Sequence, residues 1–151
     1  MLRETPEAYA SAVEPYISSF PPERTAWVHA ILEGRKEAER VIFRDEDKEN
    51  GFVILPDLKW DGTTLAALYL TTIVQDASIR SMRDLRRKHI PLLRAIRAQA
   101  YASAKEGYGV EEGDLRLFIH YQPSYCELTR VQREAKLTCR PLPCPHCAYP
   151  P

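Results

Sequence analysis

The sequence predicts an α+β fold in which helices flank an antiparallel sheet, and three features point to it. Two β-rich runs, residues 40–44 and 51–55, are separated by a polar loop closing on Asn50-Gly51, which is a hairpin signal. Ile90, Leu93, Ile96, Ala100, Tyr101 and Ala104 recur at the spacing of one helix face. Leu115, Leu117, Ile119 and Tyr121 alternate strictly, as on the apolar face of a strand.

Taken in order, Thr5-Pro6-Glu7 opens a helix with a capping hydroxyl, a proline where no N–H is needed and an acid at the positive end. Pro15 should end or kink it. Pro21-Pro22-Glu23 starts a second helix carrying Trp27, Val28, Ile31 and Leu32, with Gly34 as its stop. The hairpin follows, and Pro56-Asp57-Leu58-Lys59-Trp60 leaves its second strand. The second half of residues 65–74 reads as another strand, and residues 81–85 as a short helix. Gly107 and Gly109 close the long helix before the strand at 115–121. Residues 1–126 are therefore expected to form one domain. Residues 127–151 read as a Pro- and Cys-rich tail without regular structure.

The chain has 151 residues, enough to bury about two-thirds of its unfolded surface. Its 21 basic residues balance 21 acidic ones, so it lacks the field needed to hold long nucleic acid by counterion release, and a nucleotide ligand should be small. No apolar run spans a bilayer and the N-terminus lacks a signal peptide's apolar stretch, so a soluble intracellular protein without membrane partners is expected. All four cysteines lie at position 126 or beyond, which excludes a disulfide framework for the domain.

Familiar catalytic motifs are missing: there is no phosphate-cradling glycine loop, nucleophile elbow or two-histidine zinc helix. His29, His89, His120 and His146 are scattered and read as structural or surface residues. Trp27, Glu37, Asp57 and Lys59 together supply a ring to stack on a base, carboxylates to accept from guanine N–H groups, and an amine for phosphate. A core tryptophan, a solvated helix glutamate and a polar loop would account for the same residues.

The runs WVHAILEGRKEAERVIFRDEDKEN, GFVILPDLKWDG, LYLTTIV, IRSMRDL, PLLRAI and LRLFIHYQPSY closely resemble the C-terminal domain of the scavenger mRNA decapping enzymes, a branch of the histidine-triad (HIT) superfamily. The similarity extends from Thr5 to Cys126, with PDLKW and HYQPSY particular to this branch. It implies a HIT-like domain acting on an m7G-capped dinucleotide or short capped oligonucleotide and releasing 7-methylguanosine monophosphate. It also implies a possible homodimer and a place in cytoplasm and nucleus; no cofactor is expected. By the same resemblance Trp27 stacks on the methylated base and Glu37 accepts from its edge. Asp57 and Lys59 would serve ribose and phosphates, and Ser124 and Tyr125 approach the phosphates.

Members of that family follow the Pro-Ser-Tyr segment with a strand bearing three alternating histidines, the middle one the nucleophile. Here Glu127-Leu128-Thr129-Arg130-Val131 stands instead. Neither Glu127 nor Thr129 replaces an imidazole, Arg130 is expected on the opposite face, and no catalytic residue is assigned. Losing a nucleophile from an organised site costs on the order of a million-fold in turnover. The chain is thus expected to be an inactive decapping-type domain; the alternative is a non-catalytic cap-binding or dimerisation module. The sheet is expected to be incomplete at its C-terminal strand, leaving residues 115–121 as an unpaired edge. Cys139, Cys144, His146 and Cys147 resemble a zinc set, but one C-x-x-C pair among prolines is a poor frame for an ion, and no metal is expected.

Overall fold

A computed structural model describes residues 4–121, apart from the side chains of Pro22 and Arg24, together with the backbone of Thr129–Arg133. The sheet has five strands: β1 (Phe43–Arg44), β2 (Phe52–Pro56), β3 (Tyr69–Val74), β4 (Leu115–Ile119) and β5 (Thr129–Arg133). Their order is β1-β2-β3-β5-β4, and every neighbouring pair is antiparallel. The β1–β2 hairpin forms as expected. Asp47 accepts backbone N–H bonds from Glu49 and Asn50 at 2.9 and 2.7 Å, tightening the loop. Gly51 is required there because a Cβ would lie 2.2 Å from the Asp47 carbonyl oxygen.

Among the described residues four α-helices accompany the sheet: α1 (Pro6–Ala8), α2 (Glu14–Ser18), α3 (Pro22–Leu32) and α4 (Ile90–Tyr108). Thr5 caps α1 through the Ala8 N–H. A wide turn over Tyr9–Val13 joins α1 to α2, its closing bond running from Glu14 N–H to Tyr9 C=O. This is how the chain admits Pro15, which can neither donate nor tolerate a tight preceding turn. Gly109 ends α4 in the left-handed region at φ 66°.

Each face of the sheet buries a different helix. Phe52, Ile54, Leu70, Val74 and Leu115 meet Leu92, Ile96, Ala100 and Ala104 of α4. Val53, Leu55 and Ile73 meet Val28 and Ile31 of α3. Strands β2 and β3 are covered on both sides, which is why they read as near-continuous apolar runs. Each such side chain contributes about 1.5–3 kcal/mol by leaving water.

Several expectations need correction. The first hairpin strand is shorter than residues 40–44 because Ala38–Arg40 closes a tight turn before it. The strand expected over 115–121 ends at Ile119. On α4, Leu92 is fully buried whereas Ile90 is 41% exposed. The turn Arg87–His89 precedes Ile90, and His89 is buried there, its Nδ1 accepting the Arg86 N–H at 3.0 Å. The expected gap at the C-terminal strand is filled: Thr129–Arg133, beyond the expected domain limit at 126, pairs with both β3 and β4. A gap there would strand two rows of backbone donors and acceptors, and a Thr-Arg-Val-Gln-Arg segment is competent to close it. Ser124, Tyr125 and the set Cys139, Cys144, His146 and Cys147 lie outside the described residues. No helix among the described residues is long and apolar enough to cross a membrane.

Candidate functional site

The site grows from the end of β2. Alternation places Val53, Leu55 and then Asp57 on the α3-facing side of the sheet. Asp57 is only 6% exposed, a position a carboxylate keeps when its oxygens are hydrogen-bonded. Oδ2 accepts from the Thr71 hydroxyl at 2.8 Å, and Oδ1 from the Lys59 N–H at 2.8 Å. The second bond folds Leu58 and Lys59 into a turn that leaves both side chains exposed. Trp60 then turns inward. Its indole donates to the Thr64 carbonyl at 3.0 Å and meets the Tyr108 ring edge-on at 5.2 Å, so this tryptophan is structural. Beside it, bonds from the Thr64 hydroxyl and from the Thr64 and Thr63 amides pull the Asp61 carboxyl down to about 2.

Trp27 lies half-buried on α3, against the Val28–Val53–Leu55 cluster. The C-terminal end of that helix is held by Arg44 of β1, whose guanidinium donates to the Leu32 and Ile31 carbonyls at 2.6 and 2.9 Å. Glu37 follows in the left-handed region at φ 54°, where among the described residues no other non-glycine residue is found. Its Oε2 accepts from Arg40 at 2.5 Å, and the same guanidinium reaches the Pro56 carbonyl at 3.4 Å. Glu37 is thereby tethered to the residue immediately before Asp57.

The same face continues across β3 and β4. The Tyr69 and Phe118 rings stack at 6.4 Å, and Phe118 lies 5.5 Å from the His120 ring. In β5 the residue in register with Thr71 and Phe118 is Arg130, whereas Thr129 pairs with Thr72 and Ile119. Position 130 of the backbone thus stands in the row of Thr71 and Phe118. Among the described residues no group of three or more His, Cys, Asp or Glu could hold a metal.

Of the residues expected to bind ligand, Asp57, Lys59 and Glu37 converge on the end of β2, and Trp27 lies on the helix covering that face. Ser124 and Tyr125 fall outside the described residues. Sequence reading missed Thr71, Arg40 and Arg44. Arg40 carried a signal, an opposite charge three residues after Glu37. Thr71 and Arg44 carried none, because their partners are distant in sequence.

Residues 26–129 match the family described as scavenger mRNA decapping enzyme C-term binding. The m7GpppX diphosphatase of Schizosaccharomyces pombe is 43% identical over 128 residues, which cover 85% of this chain and 42% of that protein. For the m7GpppX diphosphatases of Caenorhabditis elegans and Homo sapiens the identities are 38% and 39%, again over 85% of this chain, and over 41% and 38% of theirs. The chain thus spans about two-fifths of the length of the curated relatives it matches. With the match covering more than half of the chain, and with an antiparallel sheet flanked by helices, this protein belongs to the scavenger mRNA decapping enzyme C-terminal family.

Proposed function

We propose that this chain binds the m7G cap of a dinucleotide or short capped oligonucleotide and does not hydrolyse it. The observation that carries the reading is the placement of Asp57, buried at the end of β2 and bonded to Thr71 and to the Lys59 backbone, on the face covered by the Trp27 helix. Stacking Trp27 on a cationic methylated base would contribute about 0.5–2 kcal/mol. Glu37 would take the base edge, Asp57 the ribose, and Lys59, with Ser124 and Tyr125, the phosphates. Hydrolysis through a nucleotidyl-histidine intermediate, formed as the nucleoside diphosphate leaves and cleaved by water to 7-methylguanosine monophosphate, needs an imidazole on the strand beside β3, and residues 129–133 contain none. A cytoplasmic and nuclear setting and a homodimer accord with this reading.

The test is to titrate the purified chain with m7GpppG by tryptophan fluorescence while following 7-methylguanosine monophosphate. Saturable quenching, lost in Trp27→Ala although buried Trp60 still emits, together with product at background, is the expected result. Product above background that disappears in Trp27→Ala would overturn the non-hydrolytic part. Absence of quenching would overturn cap binding and leave a dimerisation module.

A further inference from the structure

The turn between α3 and β1 contains two left-handed residues, Gly34 at φ 71° and Glu37 at φ 54°. Glycine occupies that region freely, but a residue with a Cβ pays about 1–2 kcal/mol. A glutamate kept in such a backbone is held by something else. The visible restraint is Arg40, with one guanidinium nitrogen on Glu37 Oε2 at 2.5 Å and another on the Pro56 carbonyl at 3.4 Å.

A solvated ion pair three residues apart would contribute little and demand nothing of the fold. This one differs in two respects. Both side chains are about two-thirds shielded, at 32% and 31% exposure. The guanidinium also spans from the α3–β1 turn to the last residue of β2, so it fixes the carboxylate relative to Asp57 rather than only within its own turn. The Arg40 bond falls on Oε2, which leaves Oε1 of Glu37 as a further acceptor beside the end of β2.

We infer that Arg40 is a positioning residue that sets the selectivity of this site for guanine. Resting on the proposed role of Glu37 at the base edge, the inference is that Arg40 holds the carboxylate where it can accept from a purine's ring N–H and 2-amino group together. A base lacking the amino group would leave part of that acceptor capacity unpaired in a shielded site, a penalty worth about tenfold or more in affinity.

The experiment compares two cap analogues, m7GpppG and its counterpart with 7-methylhypoxanthine replacing the methylated guanine. Both keep a cationic ring for stacking, and only the first has the 2-amino group. Affinities are measured by fluorescence for the unmodified chain, Glu37→Gln, Arg40→Ala, Arg40→Lys and the Arg40→Ala/Glu37→Gln double variant. The ratio of the two affinities is taken within one protein, so a smaller folded fraction cancels.

The unmodified chain should prefer guanine by about tenfold. Glu37→Gln and Arg40→Ala should each abolish the preference, the double variant should lose nothing further, and Arg40→Lys should recover part of it. If Glu37→Gln loses the preference and Arg40→Ala keeps it, Glu37 reads the base unaided and the inference about Arg40 fails alone. If the unmodified chain shows no preference, the assignment of Glu37 to the base edge fails and takes the inference with it.

Discussion

Thr71 offers a single hydroxyl, yet that hydroxyl faces a carboxylate out of contact with bulk water. Replacing it with valine keeps the shape and the β propensity while withdrawing a donor from buried Asp57. Thr71→Val should therefore cost about 1–3 kcal/mol in urea unfolding, and Thr71→Ser much less. A valine variant as stable as the parent would mean that Asp57 is satisfied without this bond. Trp27, Asp57 and Lys59 could be singled out from residue type and resemblance, since each carries chemistry visible in one side chain. Thr71 could not, because a threonine in a strand ordinarily only fills a β-branched position, and its partner lies across a strand pairing that no local pattern specifies. Trp60 illustrates the converse: it stands in the most recognisable run of the sequence, yet its ring serves the core.

Helix α4 separates two glycines that look alike in sequence. Gly107 lies within the helix, with nothing within 4 Å of where a Cβ would be. Gly109 is the left-handed cap, its N–H bonded to the Lys105 carbonyl at 2.9 Å. Gly107→Ala should raise stability by about 0.5–1 kcal/mol through helix propensity and a less flexible unfolded chain. Gly109→Ala should lower it by about 1–2 kcal/mol through backbone strain. Urea midpoints that moved in the same direction for both would contradict this assignment of the helix end. The helix itself was legible because its apolar spacing persists over several turns. Its phase at the N-terminal end was not: the turn at Arg87–His89 buries a histidine and lets Leu92, rather than Ile90, begin the covered stripe.

At the scale of the molecule, two helices on opposite faces of one sheet follow from the burial of β2 and β3 on both sides, and that much was readable from their continuous hydrophobicity. The neighbour of β4 was not, because alternation in a strand fixes which side is apolar and leaves its partner open. The register of β5 carries a consequence for any attempt to place histidines on this strand. The even-numbered positions 130 and 132 stand opposite Thr71 and Tyr69, whereas 129 and 131 stand opposite core residues Thr72 and Leu70. Where a histidine is placed on β5 is therefore a question of parity. A histidine pair grafted at 129 and 131, opposite Thr72 and Leu70, should lower the thermal midpoint without yielding 7-methylguanosine monophosphate. The same pair at 130 and 132 should leave the fold nearly as stable and bring imidazoles to the row of Asp57's partner. Equal melting behaviour of the two grafts would show that the strand slides by one residue to suit its cargo.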